Sequence, residues 1–459
     1  MNNKNNLEIR NNREYKKGKV NLFQFIEIAF NQFKHNKRKL SVLMILTIIF
    51  VLTILVIINL RADIFDNKII DLINTIFKTN ISSNIVLIIL AVLFYILFTI
   101  GLGTPLNSKK ISEKIYNAGI VNYARETAIF IASYVNPKDK NTIIYKFFTN
   151  STNLEDWEKN LDKIEIYDYK IKDLKRIGNN KILLCLTKED LNNPIPKLWD
   201  NSYLLKNENE LKVVLGVDAF GEQEIWNMSV IPHGLEGGES NSGKTANIKL
   251  ILAQVLLLGH EVYLADFKNA IDYEKIWYEK CKIVSTKNEL SNVLDNLLNE
   301  YDVRVEELIK AGANNIDNYN KMSSQKMKHI VFAFDEVAEV FAVDKKYLSK
   351  EEQEQLSKIE ANIDKIARLG RATGIHLLLS TQRPSADIIP KQTRTNIGYR
   401  ICFRADEILS NIILDNKEAS DRIPKNARGI YISNVNRKLS QGYWIDDYEK
   451  ILNDNQVIK

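Results

Sequence analysis

The sequence is poor in cysteine, with three in 459 residues, and this scarcity limits the classes of protein it can belong to. Cys185, Cys281 and Cys402 are far apart and form no Cys-x-x-Cys pair. This spacing argues against a disulfide framework or a cysteine-ligated zinc site and favours reduced thiols. A chain of this length has room for two or three domains. The net charge of +6 suggests an acidic partner, although lysine enrichment on a solvated surface explains it equally well.

Charged residues are missing from two long apolar runs near the amino terminus. Leu40–Leu60 carries no charge, and Thr79–Ser108 is also uncharged, with its most apolar part at Ile85–Leu102. At about 1.5 Å per residue each run is long enough to cross a hydrocarbon core of about 30 Å. Two buried core helices are the alternative, but such helices usually keep a polar stripe. The late start and the second run also argue against a cleaved signal peptide. We therefore predict two transmembrane helices.

The charges that flank these runs predict their orientation. Residues 1–40 carry ten Lys or Arg against three Glu, and Lys109, Lys110 and Lys114 follow the second run. The loop Arg61–Lys78 is balanced, with three basic and three acidic residues. The positive-inside rule places both termini in the cytoplasm of a multi-pass cell-membrane protein. The basic cluster before the first run could also attract anionic lipid.

We divide the chain into four predicted parts. Residues 1–39 form a basic tail that is partly disordered or lies on the membrane surface, and residues 40–106 form the transmembrane hairpin, with helices at about 40–60 and 85–102. Residues 107–203 form a cytoplasmic connector that begins with a helical pattern at Ile111–Tyr134 and contains a strand at Lys181–Leu186. No motif in the connector indicates chemistry. Residues 204–459 form an α/β domain.

Alternating strand and helix patterns in the last part predict a parallel sheet covered on both faces. The apolar segments Glu261–Asp266, Ile330–Phe334 and Ile375–Ser380 read as strands, and Leu290–Lys310 and Glu351–Arg368 read as helices. Catalytic groups should then lie at the carboxyl ends of the strands.

A phosphate-binding motif lies in the first part of this α/β domain. Residues 238–245 read Gly-Glu-Ser-Asn-Ser-Gly-Lys-Thr and match G-x-x-x-x-G-K-[ST] without a mismatch. The backbone N–H groups of such a loop, and the amino end of the helix after it, bind phosphate oxygens. The predicted ATP-binding residues are Gly238, Glu239, Ser240, Asn241, Ser242, Gly243, Lys244, Thr245 and Ala246. A flexible glycine-rich turn is the alternative interpretation.

Carboxylates at the end of the strand Ile330–Phe334 complete the predicted catalytic site. Lys244 is expected to reach the β- and γ-phosphates, while the Thr245 hydroxyl and Asp335 hold Mg²⁺. Glu336 is the candidate for polarising the attacking water, although a solvated strand-end carboxylate would look the same. The intact Lys244, Asp335 and Glu336 argue against a scaffold with a degenerate nucleotide site.

Two further residues are candidates for sensing and completing the site. Gln382 follows the strand Ile375–Ser380 and is placed to sense the γ-phosphate. An arginine in the segment Arg368–Gly374 could reach the nucleotide of a neighbouring subunit, or it could be an ordinary surface arginine. His376 reads as a packed strand histidine.

The residues from Arg371 to Ile389, together with Thr395–Phe403, resemble the FtsK/SpoIIIE family of DNA-translocating ATPases. The resemblance extends to Leu215–Asp218, Pro232-His233 and Asp266–Lys268, and covers roughly Leu211 to Ile432. It implies a RecA-like P-loop NTPase motor that forms a hexameric ring and moves DNA through a central pore. It gives Lys244, Thr245, Asp335 and Glu336 the Walker roles, Gln382 the sensor role and Arg371 the arginine-finger role. Lys391 and Arg394 are candidate DNA contacts.

The chain departs from the chromosome-segregating members of that family. Those members carry four membrane spans, a long linker and a winged-helix domain, whereas two apolar runs and a short connector precede the motif here. The layout resembles the TcpA-type FtsK-like coupling proteins of Gram-positive conjugative elements. This resemblance implies a membrane-anchored ATPase that moves DNA to a conjugation channel, with relaxase and channel proteins as partners. The alternatives are a DNA translocase in division or partition and an ATPase of a protein secretion system. Whether the cargo is single- or double-stranded stays open.

Overall fold

The computed structural model describes residues 20, 22–59, 75, 83–207, 209–268, 272–383 and 391–453. The chain divides into two compact units, Met1–Lys188 and Glu189–Lys459. The predicted division between connector and motor at 203/204 lies later in the chain and stays a prediction.

Three helices lead the first unit, and two of them follow the apolar runs of the sequence: α1 (Leu22–His35), α2 (Lys37–Asn59) and α3 (Ser83–Gly103). Tyr95 of α3 contacts α2 twice. Its hydroxyl lies 2.8 Å from Thr47 Oγ1, and its ring stacks on Phe50 with centroids 4.5 Å apart. The two apolar helices therefore pack side by side within this unit.

Among the described residues, one helix is by itself long and apolar enough to cross a membrane. It spans Lys37–Ile57, and none of its most apolar stretch is buried within the chain. Leu87–Gly103 passes the same test only together with the next helix, α4 (Ser108–Asn117), from which it is bent by 49°. An apolar helix is therefore present where the first span is predicted, and the second span and the hairpin stay predictions.

A small antiparallel sheet completes the first unit. Its strands lie in the order β1-β2-β4-β3, and the elements are β1 (Ile129–Val135), β2 (Thr142–Phe148), α5 (Leu154–Lys159), β3 (Lys170–Ile177) and β4 (Lys181–Thr187). The strand predicted at Lys181–Leu186 is confirmed. The helical pattern predicted at Ile111–Tyr134 is wrong beyond Asn117. Gly119 adopts a left-handed φ of 86°, which ends the helix, and the β-branched and aromatic residues after it form β1.

The second unit is an α/β domain. Its strands are β5 (Lys197–Leu198), β6 (Lys212–Asp218), β7 (Gln223–Asn227), β8 (Gly234–Gly237), β9 (Glu261–Ala265), β10 (Lys282–Val284), β11 (Ile330–Phe334), β12 (Ile375–Thr381), β13 (Tyr399–Phe403), β14 (Ile430–Ser433) and β15 (Leu439–Trp444). Its helices are α6 (Lys244–Leu257), α7 (Lys275–Lys280), α8 (Lys287–Ala311), α9 (Ile316–Met322), α10 (Ala338–Phe341), α11 (Lys350–Thr373), α12 (Lys391–Asn396), α13 (Glu407–Leu414), α14 (Glu418–Arg422) and α15 (Tyr448–Leu452). Short 3-10 turns lie at Leu161–Lys163, Asn201–Tyr203 and Lys345–Tyr347.

The main sheet is mixed. Strands β10-β9-β11-β12-β8-β13 are parallel neighbours, as predicted, and β14, β15, β6 and β7 extend the sheet in antiparallel fashion. The prediction of a parallel sheet is therefore confirmed for the first six strands and wrong for the remaining four. Short loops connect β6 to β7 and β14 to β15, and loops of this length can join only antiparallel strands. Gly221 and Arg437 take the left-handed φ values that such tight turns require.

Apolar side chains fill both faces of the parallel half. One core cluster lies beneath α8 and α11, and a second lies beneath α6. Both long helices begin with a capping box, Thr286 with Glu289 in α8 and Ser349 with Glu352 in α11. These caps explain why the helices predicted at Leu290–Lys310 and Glu351–Arg368 are confirmed and start slightly earlier than predicted.

Candidate nucleotide site

The phosphate-binding motif lies where a parallel sheet favours it, between the carboxyl end of β8 and the start of α6. Gly243 precedes α6 with φ of 106°, in the left-handed region. A Cβ at this position would lie 2.6 Å from the backbone nitrogen of Gly429. Glycine is therefore required twice over, by its backbone angle and by the approach of the neighbouring loop.

Lys244 is the central cation of this site. Its side chain is 3 % exposed, and Nζ donates to Ser380 Oγ at 2.6 Å and to the Asp335 carbonyl at 3.0 Å. The Asp335 carboxylate lies 3.4 Å from the same nitrogen, and Glu336 Oε2 lies 3.9 Å away. Lys244, Asp335, Glu336 and Ser380 are thus brought together at the carboxyl ends of the adjacent strands β8, β12 and β11. Asp335 is as deeply buried as Lys244, so the two charges compensate each other.

Thr245 and Asp335 form the pair of oxygen donors that the sequence assigns to Mg²⁺. Thr245 Oγ1 lies 3.4 and 3.5 Å from the two carboxylate oxygens of Asp335. Tyr273 donates its hydroxyl hydrogen to Asp335 Oδ2 at 3.1 Å, and burial, with Asp335 nearby, raises the pKa of Tyr273 well above its usual value. One hydroxyl and one oriented carboxylate suit Mg²⁺, which keeps several water or phosphate ligands. Within the described residues no cluster of three or more His, Cys, Asp or Glu side chains could hold a metal.

Glu336 is oriented by backbone donors from two elements. Its carboxylate accepts from the Gln382 N–H at 2.9 Å and from the Ala338 N–H at 3.3 Å. Gln382 is thereby fixed at the end of β12, directly beside the candidate base. The predicted catalytic and sensor residues therefore share one hydrogen-bonded junction.

A cavity of about 720 Å³ opens in front of this junction. Residues 239–246 line it, with Gln382 beside them, and Gly238 lies directly before this run. Arg428, Gly442 and Tyr443 also line it, together with Asn193, Pro194 and Pro196 from the start of the unit. The cavity is large enough for a nucleotide.

The other predicted residues lie elsewhere. Arg371 is exposed in the last turn of α11, beyond the amino end of β12, so it does not reach the P-loop of its own chain. Its role as a finger toward a neighbouring subunit stays a prediction. Arg394 is partly buried and donates to the Ile412 carbonyl at 3.2 Å, which occupies one of its nitrogens within the domain. The backbone of Lys391 begins α12, and its side chain lies outside the described part of the chain.

Three residues of the site were not predicted. Ser380 is the nearest partner of Lys244, and Tyr273 orients Asp335 from a distant loop. Arg404 contacts the phosphate-binding loop twice. Its Nε lies 3.0 Å from Glu239 Oε2, and its Nη2 donates to the Ser240 carbonyl at 2.9 Å. Ser380 could have been found as a polar residue that follows three leucines near the end of its strand. No local signal in the sequence indicates Tyr273 or Arg404.

A buried carboxyl group lies in the strand that precedes the phosphate-binding loop. Glu236 lies in β8, is fully buried and accepts from Asn247 Nδ2 at 2.7 Å. Its other oxygen has no hydrogen-bond partner among the described residues. Burial raises the pKa of Glu236 to about 8, although Asn247 and Lys244 oppose the shift. The group is therefore largely protonated at neutral pH.

Comparison with known proteins identifies the domain that holds this site. Residues 196–386 match the FtsK/SpoIIIE family model. The DNA translocase SftA of Bacillus subtilis is 28 % identical over 257 residues, which are 53 % of this chain and 26 % of that protein. The DNA translocase FtsK of Streptococcus pneumoniae is 28 % identical over 277 residues, 56 % of this chain and 35 % of that protein. The chain thus spans about a quarter to a third of these curated relatives.

A solved structure shares the fold over more of the chain. The monomer form of the pCW3 conjugation coupling protein TcpA, solved with ATPγS, superposes with a TM-score of 0.54 at 24 % identity. The match covers 76 % of this chain and 99 % of that one. The family match includes the phosphate-binding loop, Asp335, Glu336 and Gln382. Residues 196–386 of this chain therefore form a domain of the FtsK/SpoIIIE family.

Proposed function

We propose that this chain is a membrane-anchored ATPase that moves DNA and acts as a coupling protein for a conjugative transfer channel. The observation that carries the proposal is the meeting of Lys244, Asp335 and Glu336 at one edge of the sheet within the FtsK/SpoIIIE domain. The DNA-translocase relatives support DNA as the substrate. The coupling role is supported by the layout, one motor domain behind apolar helices and a small sheet, and by the fold shared with a conjugation coupling protein.

The site residues divide the work of ATP hydrolysis. Lys244 exchanges its contacts with Ser380 and Asp335 for the β- and γ-phosphates, and the loop N–H groups bind the remaining phosphate oxygens. Thr245 and Asp335 would hold Mg²⁺, which supplies charge neutralisation on the phosphates. Glu336 orients and polarises the attacking water, and Gln382 reports the γ-phosphate to β12 and the loop beyond it. Arg371 of a neighbouring subunit completes the site in a ring, which we take to be a hexamer.

The amino-terminal helices provide the anchor. Helix α2 is apolar and unburied, and the basic residues around its start favour a cytoplasmic location for that end. With α3 as the second span, both termini lie in the cytoplasm and the motor faces the DNA. Relaxase and channel proteins are the expected partners, and the strand form of the DNA stays open.

The decisive experiment measures ATP hydrolysis by the purified full chain in detergent, alone, with single-stranded DNA and with duplex DNA, across a salt series. We expect stimulation by DNA that weakens steeply with salt, because phosphate contacts release counterions. Lys244→Ala should lower turnover at least about 100-fold, since it removes the cation that stabilises transferred charge. The exposed Lys310→Ala variant is the matched control.

Two outcomes would redirect the proposal. Clear basal turnover without stimulation by either DNA would favour a protein-secretion ATPase. DNA stimulation combined with normal transfer of a mobile element by Lys244→Ala cells, but defective partition of chromosomal DNA, would favour the division translocases that the curated relatives represent.

A further inference from the structure

Helix α1 packs into the first unit through one face. Ile28, Ala29 and Phe33 of this helix are buried. Ile28 joins the core cluster formed by residues of β1 and β2, namely Ile129, Ile131, Ala132 and Phe148. A Cβ at Gly103, the last residue of α3, would lie 2.4 Å from Ala29 Cβ, so the two helices approach closely at this point. Helix α1 is therefore packed against both the small sheet and the end of α3.

Polar contacts fix the rotation of α1 about its axis. Glu27 pairs with Lys181 at 2.6 Å. Gln32 donates from Nε2 to the Ile131 carbonyl at 3.0 Å, and the His35 ring stacks on Tyr134 with centroids 3.8 Å apart. These contacts lie on three successive turns of the helix. The helix cannot roll without breaking them, so the face opposite the sheet is held outward.

That outward face carries an apolar stripe, which consists of Phe23, Ile26 and Phe30. The exposed fractions of these side chains are 83 %, 56 % and 66 %. The spacing i, i+3, i+7 places them on one side of the helix, and Lys34 continues the same side one turn later. Two phenylalanines and an isoleucine in a row are costly to leave in water.

The position of the apolar stripe indicates what covers it. Asn36 alone separates α1 from α2, and Lys39 of α2 donates to the Thr104 carbonyl at 3.2 Å. The stripe therefore lies beside the end of the apolar helices at which Lys34, Lys37, Arg38 and Lys39 are concentrated. Glu27 is the one acidic residue between positions 20 and 39, and it is already paired. An apolar row followed by basic residues is complementary to an anionic lipid surface.

We propose that the apolar stripe of α1 inserts into the boundary between the headgroups and acyl chains of an anionic bilayer, at the leaflet where α2 enters. The inference rests on the membrane anchoring proposed above. Helix α1 then lies in the plane of the interface, with Lys34 and the start of α2 at the level of the headgroups. Because the same helix is packed on β1 and β2, the sheet of the first unit is held close to the lipid surface.

The test places an environment-sensitive fluorophore on the stripe of the full chain. Ile26→Cys is made in a Cys281→Ser background and labelled with a nitrobenzoxadiazole maleimide. Cys185 and Cys402 are buried, and burial raises the pKa of Cys185 to about 12, so neither competes for the label. The protein is reconstituted into vesicles of phosphatidylcholine and phosphatidylglycerol, in which the lipid is brominated either near the headgroup or near the chain terminus.

Two matched positions calibrate the result. Leu52→Cys lies on the exposed side of α2 and reports the interior of the bilayer, and Tyr347→Cys is exposed in the second unit and reports water. We expect the Ile26 label to emit at shorter wavelength than the Tyr347 label. Bromines near the headgroup should quench it severalfold more strongly than bromines near the chain terminus, with the opposite order at Leu52. Omitting phosphatidylglycerol should reduce the quenching at Ile26 severalfold and leave Leu52 unchanged.

The outcomes separate this inference from the anchoring on which it rests. Quenching at Leu52 without quenching at Ile26 would overturn the inference and leave the anchor in place. Blue-shifted emission from the Ile26 label without quenching by brominated lipid would also overturn the inference. In that case the stripe would be covered by protein, either another part of this chain or a second copy. Absence of quenching at Leu52 would overturn the anchoring itself and the inference with it.

Discussion

Lys244 has hydrogen-bond partners for its buried ammonium group within its own chain. Its ammonium group is buried and hydrogen-bonded to Ser380 and to Asp335. A buried ammonium without such partners would be strongly destabilising. Under the proposed function, binding a phosphate would be an exchange of partners that releases Ser380 near the end of β12. This exchange would link the nucleotide to the strand that precedes Gln382.

Arg404 is expected to position the phosphate-binding loop. Arg404→Gln should raise the KM for ATP about 5- to 30-fold, because it removes a hydrogen bond to the Ser240 carbonyl and leaves the Glu239 carboxylate free to repel phosphate, together about 1–2 kcal/mol. The value of kcat should change far less. Steady-state ATPase kinetics measure both constants. Adding Glu239→Gln should recover part of the loss, and an unchanged KM in the single variant would contradict this role.

Glu236 makes stability depend on pH. Its pKa is about 8 in the folded chain against an ordinary 4.5. Between these two values the folded state holds a proton that the unfolded chain releases. The contribution of Glu236 to the free energy of unfolding is therefore complete below pH 4.5 and is lost as pH rises toward 8. Relative to wild type, Glu236→Gln should become more stable as pH rises from 5 to 8, by up to about 1.4 kcal/mol per unit. Urea unfolding measures the difference.

The matched control for this titration is Glu354→Gln, on the exposed side of α11. Its free energy of unfolding relative to wild type should show little change with pH. A pH-independent difference for Glu236→Gln would mean that the carboxyl group is ionised in the folded state despite its burial.

At the scale of elements, four histidines gather at the amino ends of β8, β9, β11 and β12, opposite the nucleotide site. They are His233, His260, His329 and His376. His376 Nδ1 donates to the Pro232 carbonyl at 2.9 Å, so its Nε2 accepts from His329 Nδ1, also at 2.9 Å. Burial lowers the pKa of His233 to about 3 and the pKa values of His260 and His376 to about 4. The sequence indicated one packed histidine at His376, whereas the fold assembles a cluster.

This cluster predicts loss of stability in mild acid. Each of these histidines has a lower pKa in the folded chain than the ordinary value of 6.5, so unfolding in mild acid takes up protons. The stabilisation that results is complete above pH 6.5 and is lost as pH falls toward 4. The free energy of unfolding should therefore decrease between pH 7 and 5, by up to about 1.4 kcal/mol per unit for each histidine. Replacing His260 with Gln should make the free energy of unfolding depend less steeply on pH, by the amount that corresponds to the uptake of about one proton on unfolding. An equal slope in wild type and variant would show that His260 already takes up its proton in the folded state.

The strands and long helices of the motor could be predicted because their signals are local. The apolar residues of β11 and β12 and the capping boxes of α8 and α11 lie within the elements that they define. The antiparallel half of the sheet could not be predicted in the same way, since the pairing of β13 with β14 and of β15 with β6 depends on contacts remote in sequence. The helix prediction for residues 118–134 is wrong because the apolar residues there fit both the face of a helix and a strand.

At the scale of the whole molecule, the segment after Lys188 joins the first unit to the motor and also lines the nucleotide cavity. Asn193, Pro194 and Pro196 form part of its wall. The backbone of this segment is held against β15, where Trp199 N–H donates to the Trp444 carbonyl at 2.9 Å. Gln441 donates from its side chain to the Ile195 carbonyl at 2.7 Å. A ligand that fills the cavity would therefore lie against this segment.

Nucleotide binding should consequently protect this segment. We expect a nonhydrolysable ATP analogue to slow backbone hydrogen exchange in residues 195–199 about 10-fold or more, because a filled cavity opposes opening of the short β5–β15 pairing. Exchange measured by mass spectrometry with and without the analogue tests this, and Lys244→Ala serves as the control that should show no protection. Equal exchange in both states would mean that the segment does not respond to the nucleotide.

Contiguous motifs in the sequence predict the chemistry of the site and the order of the parts. The run from Gly238 to Thr245, the carboxylates Asp335 and Glu336, and the uncharged run Leu40–Leu60 could be interpreted without coordinates, because each motif is contiguous. Which distant residues complete these motifs depends on the fold. Ser380 and Arg404 contact the phosphate-binding loop, and Tyr273 contacts Asp335, because the segments that carry them lie at or after the carboxyl ends of parallel strands, which share one edge of the sheet. The outward face of α1 depends likewise on packing against β1 and β2, since spacing alone shows that residues share a helix face but not which face is buried.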